Sequence, residues 1–161
     1  MQTKPQPCHD CPAYTYGLGF VPPWNPTRPP RFAFIGQGPG EHEAEFAQPF
    51  YPQAPSGRTL RGWLHDAGID DRDCAFGNVV CCWLPKTLLH GGFGKESREP
   101  TRAEAAFCYH AHVEPWLRAL PKNCHLFTVG AAATRFVLQL EGAVDHLNGI
   151  THFVELPTAG S

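Results

Sequence analysis

Four cysteines carry the strongest chemical signal in this sequence. Cys8 and Cys11 form a C-x-x-C pair, Cys82 follows far downstream, and Cys108 lies in a segment with helical spacing. A two-residue gap lets both sulfurs of the pair face one metal centre, and four thiolates suit either zinc or a [4Fe–4S] cluster. For Cys82 or Cys108 taken alone, a buried core thiol is the alternative. The other three cysteines lie in or beside apolar segments and are predicted to be buried small hydrophobes: Cys74, Cys81 and Cys124.

A glycine-rich turn, GQGPG, follows the apolar run RFAFI at residues 31–35. Gly36, Gly38 and Gly40 present bare backbone, and Pro39 stiffens the turn, so a flat or phosphate-bearing ligand can come close. The G-x-G-x-x-G pattern of dinucleotide sites is not matched. The turn alone is therefore weak support for any one ligand.

Two further side chains suggest that the ligand is a nucleic-acid base. Phe50 offers a ring for stacking, and Asn78 offers the donor and acceptor that read the Watson–Crick edge of a base. Taken singly, Phe50 is more often a core residue and Asn78 more often a cap. Ligands bind at the carboxyl ends of parallel strands, where both Asn78 and the turn are expected, so their joint placement predicts a base pocket.

Segments with strand-like and helix-like patterns alternate along the chain and position these residues. Strands are predicted at 31–36, 74–83 and 125–130, and helices at 57–69, 101–120 and 131–142. Thr101 and Glu104 form a capping box at the start of the second helix. Residues 86–100 are predicted to form a long glycine-punctuated loop. This alternation predicts an α/β fold with a mainly parallel central sheet.

Length and charge limit the functional classes. A chain of 161 residues is the size of one domain, and its net charge of −2 requires any DNA contact to rest on a local basic patch. The candidates for that patch lie on the long loop: Lys86, His90, Lys95 and Arg98. The chain contains no apolar run of the roughly 20 residues that span a bilayer, and it begins with a polar segment. We expect a cytoplasmic monomer that makes no membrane contact.

Five strings, in their order along the chain, resemble the family 4 uracil-DNA glycosylases, the iron–sulfur branch of that superfamily. They are GQGPGEHEAEFAQPF, SGRTLRGWL, GNVVCCWLP, AEAAFCYHAHVEPWL and TVGAAATRFVL, and the resemblance extends from Cys8 to about Gly149. It implies one three-layer α/β/α domain over residues 1–161, with residues 1–30 as an extended leader. It also implies a hydrolase that flips uracil, or a related base, out of single- or double-stranded DNA and cleaves its N-glycosidic bond.

The resemblance assigns roles to individual residues. The implied [4Fe–4S] ligands are Cys8, Cys11, Cys82 and Cys108, with zinc as the alternative metal. Phe50 is implied to stack on the flipped base and Asn78 to read its edge, with the backbone at Gly36 and Gly38 beside them. Glu43 matches an acid of the family's loop and is the first candidate to stabilise the cationic sugar, with Gln37 holding water or the base.

The sequence also departs from the family pattern. Gln37 stands where the family has Glu, Tyr51-Pro52 replaces Val-Gly, and the sequence ends at FVELPTAGS, before the expected His-Pro loop, for which His152 is a poor substitute. His90 lies in a long loop like that of relatives that trap DNA covalently, but their Arg-Ile-His string is absent. These departures predict a weak or inactive glycosylase. The alternatives are a glycosylase for a modified cytosine, a catalytically silent DNA- or protein-binding descendant, and a zinc-binding structural module.

Overall fold

The central sheet contains three parallel strands. The structure, a computed structural model, describes residues 1–138, so His152 and the end of the predicted helix 131–142 lie outside the described part. The strands are β1 (Phe32–Gly36), β2 (Cys74–Asn78) and β5 (His125–Thr128), in the spatial order β2–β1–β5. Gly36 lies opposite Asn78, so β1 and β2 end side by side. The predicted α/β class with a parallel sheet is confirmed.

Residues 1–138 contain five α-helices. They are α1 (Glu41–Phe46), α2 (Pro55–Asp66), α3 (Arg102–Cys108), α4 (Glu114–Ala119) and α5 (Ala131–Leu138). The predicted capping box begins α3, because the Glu104 N–H donates to the Thr101 hydroxyl and the Thr101 N–H donates to the Glu104 carboxylate. The predicted helix 101–120 is not one regular α-helix, since a π-helical segment at Tyr109–Val113 separates α3 from α4.

Helices cover both faces of the sheet. Successive strand residues point in opposite directions, and apolar side chains lie on both faces. Ala33 and Ile35 of β1 pack into a core that also contains residues of α3, α4 and α5. Phe34 points to the other face, where Leu60 and Leu64 of α2 pack. The result is a three-layer α/β/α arrangement.

The first thirty residues run along β2 and the segment that follows it. Three backbone hydrogen bonds fix this path, from the N–H groups of Leu18, Val21 and Trp24 to the carbonyls of Trp83, Cys81 and Phe76. A short 3₁₀ helix at Gln6–Asp10 precedes this stretch and contains Cys8. Within residues 1–138, none of the helices combines the length and apolar character needed to cross a bilayer.

Two predicted boundaries are wrong. Residues 86–100 are not an irregular loop, because β3 (Pro85–Thr87) and β4 (Phe93–Ser97) pair as an antiparallel hairpin. The turn is closed by a hydrogen bond from the Gly91 N–H to the Leu88 carbonyl, and Gly91 and Gly92 follow it with positive φ, so the glycines interpreted as loop punctuation lead the chain back into β4. Strand β2 ends at Asn78 and not at residue 83, because Val79 and Val80 donate to the turn after β1 instead.

Candidate functional site

The ends of β1 and β2 bring Gly36, Phe50 and Asn78 to one point. A methyl group at Gly36 would lie 2.5 Å from Asn78 Oδ1 and 2.9 Å from Phe50 Cζ. Real Cβ atoms do not approach other heavy atoms this closely, so only glycine allows the amide and the ring to meet here. The structure therefore joins three residues that the sequence assigned to the base pocket.

The side chain of Asn78 is buried without a full set of hydrogen bonds. Only 3% of the residue is exposed, and its Nδ2 has no partner within residues 1–138. A buried donor without an acceptor costs about 1–3 kcal/mol, so such groups are rare unless a ligand completes them. Within residues 1–138 the Nδ2 donor makes no hydrogen bond to the backbone of the sheet, and the atom itself is fully buried.

Glu43 connects the glycine-rich turn to Phe50. The residue is 5% exposed, and its two carboxylate oxygens accept hydrogen bonds from the Gly40 N–H at 2.9 Å and the Phe50 N–H at 2.5 Å. Burial raises the pKa of Glu43, and the two backbone hydrogen bonds oppose that rise. Since both oxygens are engaged, the geometry gives Glu43 a positioning role, while its catalytic role stays a prediction.

Phe50 is held in an unusual backbone conformation. Its φ is +49°, a left-handed value that a phenylalanine seldom adopts. Arg61 Nη1 donates to the Phe50 carbonyl at 2.5 Å, and Gly57 lies so close that a methyl group there would be 2.4 Å from that oxygen. Together with Glu43, these contacts hold the ring against Gly36. Strain held by several neighbours is typical of ligand sites.

Gln37 and Gly38 complete the turn. The Gln37 carbonyl accepts a hydrogen bond from the Val80 N–H at 3.1 Å, and its side chain is partly exposed. A methyl group at Gly38 would lie 2.6 Å from Val80 Cγ2, so glycine is also required there. The structure places Gln37 next to the pocket residue Gly36, and its role towards water or base stays a prediction.

A second feature is a cavity between the leader, the segment after β2 and α3. All four predicted metal ligands line it, namely Cys8, Cys11, Cys82 and Cys108. Cys8 and Cys11 come from the leader, Cys82 from the segment after β2, and Cys108 from the end of α3. The thiols lie far apart in the sequence and meet at one place in the fold.

The thiols of this cavity differ in acidity. Burial raises the pKa of Cys8 to about 11 and that of Cys82 to about 12. Hydrogen bonding from Cys81, including its backbone N–H at 3.1 Å from the Cys108 sulfur, lowers the pKa of Cys108. Thiols bind metals as thiolates, so a metal must displace the protons of Cys8 and Cys82. In residues 1–138 no three His, Cys, Asp or Glu side chains are arranged to hold a single metal ion.

Sequence reasoning missed one residue of this cavity. His112 Nε2 lies 3.2 Å from the Cys8 sulfur, and the ring lines the cavity. Its spacing of four residues from Cys108 puts both side chains on one helical face, and that spacing was the available signal. Partners of this kind orient metal-ligating side chains and tune their basicity.

The predicted DNA-contacting cations are only partly free. Lys86 Nζ lies 2.7 Å from Glu96, and the Arg98 guanidinium makes two hydrogen bonds to the buried Glu104 carboxylate, at 2.8 and 2.9 Å. His90 and Lys95 are exposed on the hairpin. Arg98 therefore has a structural role at the start of α3, and DNA contact by any of the four predicted residues stays a prediction.

Comparison with known proteins finds a family model that matches most of the chain. A family model described as "Uracil DNA glycosylase superfamily" matches residues 22–158. A stretch of 80 residues is 36% identical to a "Type-4 uracil-DNA glycosylase" of Thermotoga maritima. That stretch covers 50% of this chain and 35% of the relative, so the chain matches about a third of the relative's length.

Proposed function

Because this chain belongs to the uracil-DNA glycosylase superfamily, we propose that it hydrolyses the N-glycosidic bond of uracil flipped out of DNA. One observation carries the proposal. The buried Asn78 amide has an unpartnered donor within the described residues, and it lies beside the Phe50 ring across Gly36. Phe50 is 5% exposed and packs against Phe76 in the core, and in our proposal the flipped base stacks on its ring while the Asn78 amide reads the edge of the base.

The edge of uracil matches an asparagine amide. Its N3–H donates and its neighbouring carbonyl accepts, so one amide can make both hydrogen bonds. Flipping a base costs a few kcal/mol, and base–aromatic stacking returns about 1–3 kcal/mol. Phe50 and Asn78 together therefore offset much of the cost of extrusion.

Hydrolysis breaks the bond between the sugar carbon and the base nitrogen, and water supplies the new oxygen on the sugar. The sugar becomes cationic as uracil leaves as an anion. Water adds its hydroxyl group to the sugar carbon and loses one proton, which the uracil anion takes up, so the products are free uracil and an abasic site. In our proposal, Gln37 orients the attacking water, because a neutral amide holds water but does not remove its proton. Glu43 fixes the stacking ring, and its negative charge favours the cationic sugar.

We also propose that Cys8, Cys11, Cys82 and Cys108 hold a [4Fe–4S] cluster. All four thiols line one cavity, and four thiolates suit either a [4Fe–4S] cluster or zinc. The similarity to a type-4 uracil-DNA glycosylase favours the cluster. When bound, it would cross-link the leader, the segment after β2 and α3. A visible absorbance band of the purified protein would distinguish iron–sulfur from zinc.

Strand scission tests the function. The protein is incubated with an end-labelled single-stranded oligonucleotide that contains one uracil, and alkali then cleaves any abasic site. We expect weak scission at the uracil, because Gln37 stands where the family has Glu, and none when thymine replaces the uracil. Asn78→Ala should abolish scission, and the exposed Asn123→Ala is the matched control.

Two outcomes would contradict the proposal. Oligonucleotide binding without scission would favour a silent DNA-binding descendant. Scission that survives in Asn78→Ala would remove the amide from its assigned role. An oligonucleotide with a modified cytosine in place of uracil tests the remaining alternative. If this oligonucleotide is cleaved and the uracil oligonucleotide is not, the substrate is the modified cytosine.

A further inference from the structure

A stacked pair of aromatic rings, one exposed and one half-buried, lies beside the proposed base pocket. Phe46 ends α1, Tyr51 directly follows Phe50, and their rings stack with centroids 4.4 Å apart and an interplanar angle of 10°. Phe46 is 52% exposed. Within the described residues neither ring belongs to a hydrophobic core cluster, so packing of the core does not explain the pair.

A cation is fixed next to these rings. The Tyr51 hydroxyl donates to Gln53 Oε1 at 2.9 Å, and Arg58 Nη2 donates to the Gln53 carbonyl, also at 2.9 Å. Arg58 is exposed and makes no ion pair within residues 1–138. Gln53 thus holds a ring and an unneutralised guanidinium in one surface unit.

We propose that Phe46, Tyr51 and Arg58 form a subsite for the nucleotide next to the flipped one. The exposed ring face stacks its base and the guanidinium binds a backbone phosphate, a combination typical of single-strand binding sites. Tyr51 directly follows Phe50 in the chain, and the backbone carbonyls of both residues pack against Gly57 at the start of α2. The inference rests on the proposed function, because it takes the neighbouring pocket to hold a flipped base.

The subsite also predicts the form of the substrate. Stacking on a protein ring requires a base that is free of its own strand partner, since a paired base keeps both faces in the duplex stack. Single-stranded DNA should therefore bind more tightly than a duplex of the same sequence.

A binding cycle tests the contact. The full chain is titrated into labelled single-stranded oligonucleotides that contain 2′-fluoro-deoxyuridine, which resists cleavage because fluorine disfavours the cationic sugar. In one series both flanking bases are intact, and in two others one flank is an abasic analogue. Phe46→Ala should weaken binding of the intact probe about 5- to 100-fold, and should have little effect on the probe that lacks the stacked base.

Three further variants test the aromatic surface of Phe46 and the charge of Arg58 separately. Phe46→Trp should keep the affinity, because it keeps the aromatic surface. Trp63→Ala removes another exposed ring, 62% exposed on α2, and should change nothing. Arg58→Gln should reduce the slope of log Kd against log salt by about one.

The inference is overturned if Phe46→Ala binds the intact probe as wild type does, or if it loses the same factor on every probe. Uracil excision by the same preparation reports on the proposed function separately. If uracil is excised but the loss caused by Phe46→Ala does not depend on a flanking base, the subsite alone is contradicted. If that dependence is observed without excision, the subsite is supported and the proposed catalysis is contradicted.

Discussion

Substitution of Gly36 by alanine should close the proposed base pocket. The added methyl group would lie 2.5 Å from Asn78 Oδ1 and 2.9 Å from Phe50 Cζ, whereas ordinary van der Waals contact begins near 3.4 Å. The amide or the strand must therefore move by about 0.9 Å. Since Glu43 and Arg61 hold Phe50 in place, the amide of Asn78 has to give way.

The expected loss is large in activity and moderate in stability. Overpacking of a tight site destabilises a protein by about 1–3 kcal/mol. A displacement near 1 Å in a catalytic arrangement can reduce the rate about 100-fold. We therefore expect kcat/KM for uracil excision to fall at least 100-fold while the variant still folds.

Gly62→Ala is the matched control. Gly62 lies within α2, and nothing lies within 4 Å of the added methyl group, so alanine should stabilise the helix by about 1 kcal/mol and leave excision unchanged. Single-turnover excision and thermal unfolding are measured on both variants. A Gly36→Ala protein with wild-type kcat/KM would refute the assignment of this point as the pocket.

Three further outcomes follow from the same contacts. Glu43→Ala leaves the buried Phe50 N–H and the part-buried Gly40 N–H without acceptors, so urea unfolding should show a loss of about 2–4 kcal/mol, and a smaller change would exclude the positioning role. Cys82→Ala should remove the visible absorbance of the purified protein, whereas Cys74→Ala should keep it; equal spectra would contradict the ligand set. The Arg98 guanidinium lowers the pKa of Glu104 from 4.5 to about 2, so this carboxylate stabilises the fold fully above pH 4.5 and loses that effect as the pH falls towards 2. Between pH 5 and pH 2 the unfolding midpoint of Glu104→Gln should therefore fall less than that of the wild type. An equal fall would contradict this ion pair.

The residues at the pocket were predictable because their signals are local. An apolar run followed by GQGPG indicates the end of a buried strand, and Asn78 follows a second such run. Parallel strands end at one edge of their sheet, so the two signals had to meet there. The register of β1 and β2 places Gly36 opposite Asn78, as these signals predict.

Other features depend on contacts between distant residues. The left-handed backbone of Phe50 exists only because Glu43, Gly57 and Arg61 hold it, and no composition rule indicates it. Arg98 looked like a free loop cation until the fold placed it on the buried Glu104. The hairpin of β3 and β4 was missed because short exposed strands lack the apolar alternation that identifies buried ones.

The most direct measurement concerns the Asn78 side-chain amide. Its NH₂ resonances are observed by NMR in the full chain, assigned by their loss in Asn78→Asp, and followed as free uracil is added. We predict that they shift with uracil, as the unpartnered donor gains an acceptor, and stay in place with 3-methyluracil, which lacks the N3–H. Unmoved resonances at saturating uracil, or equal shifts with both compounds, would contradict a uracil-reading role for Asn78.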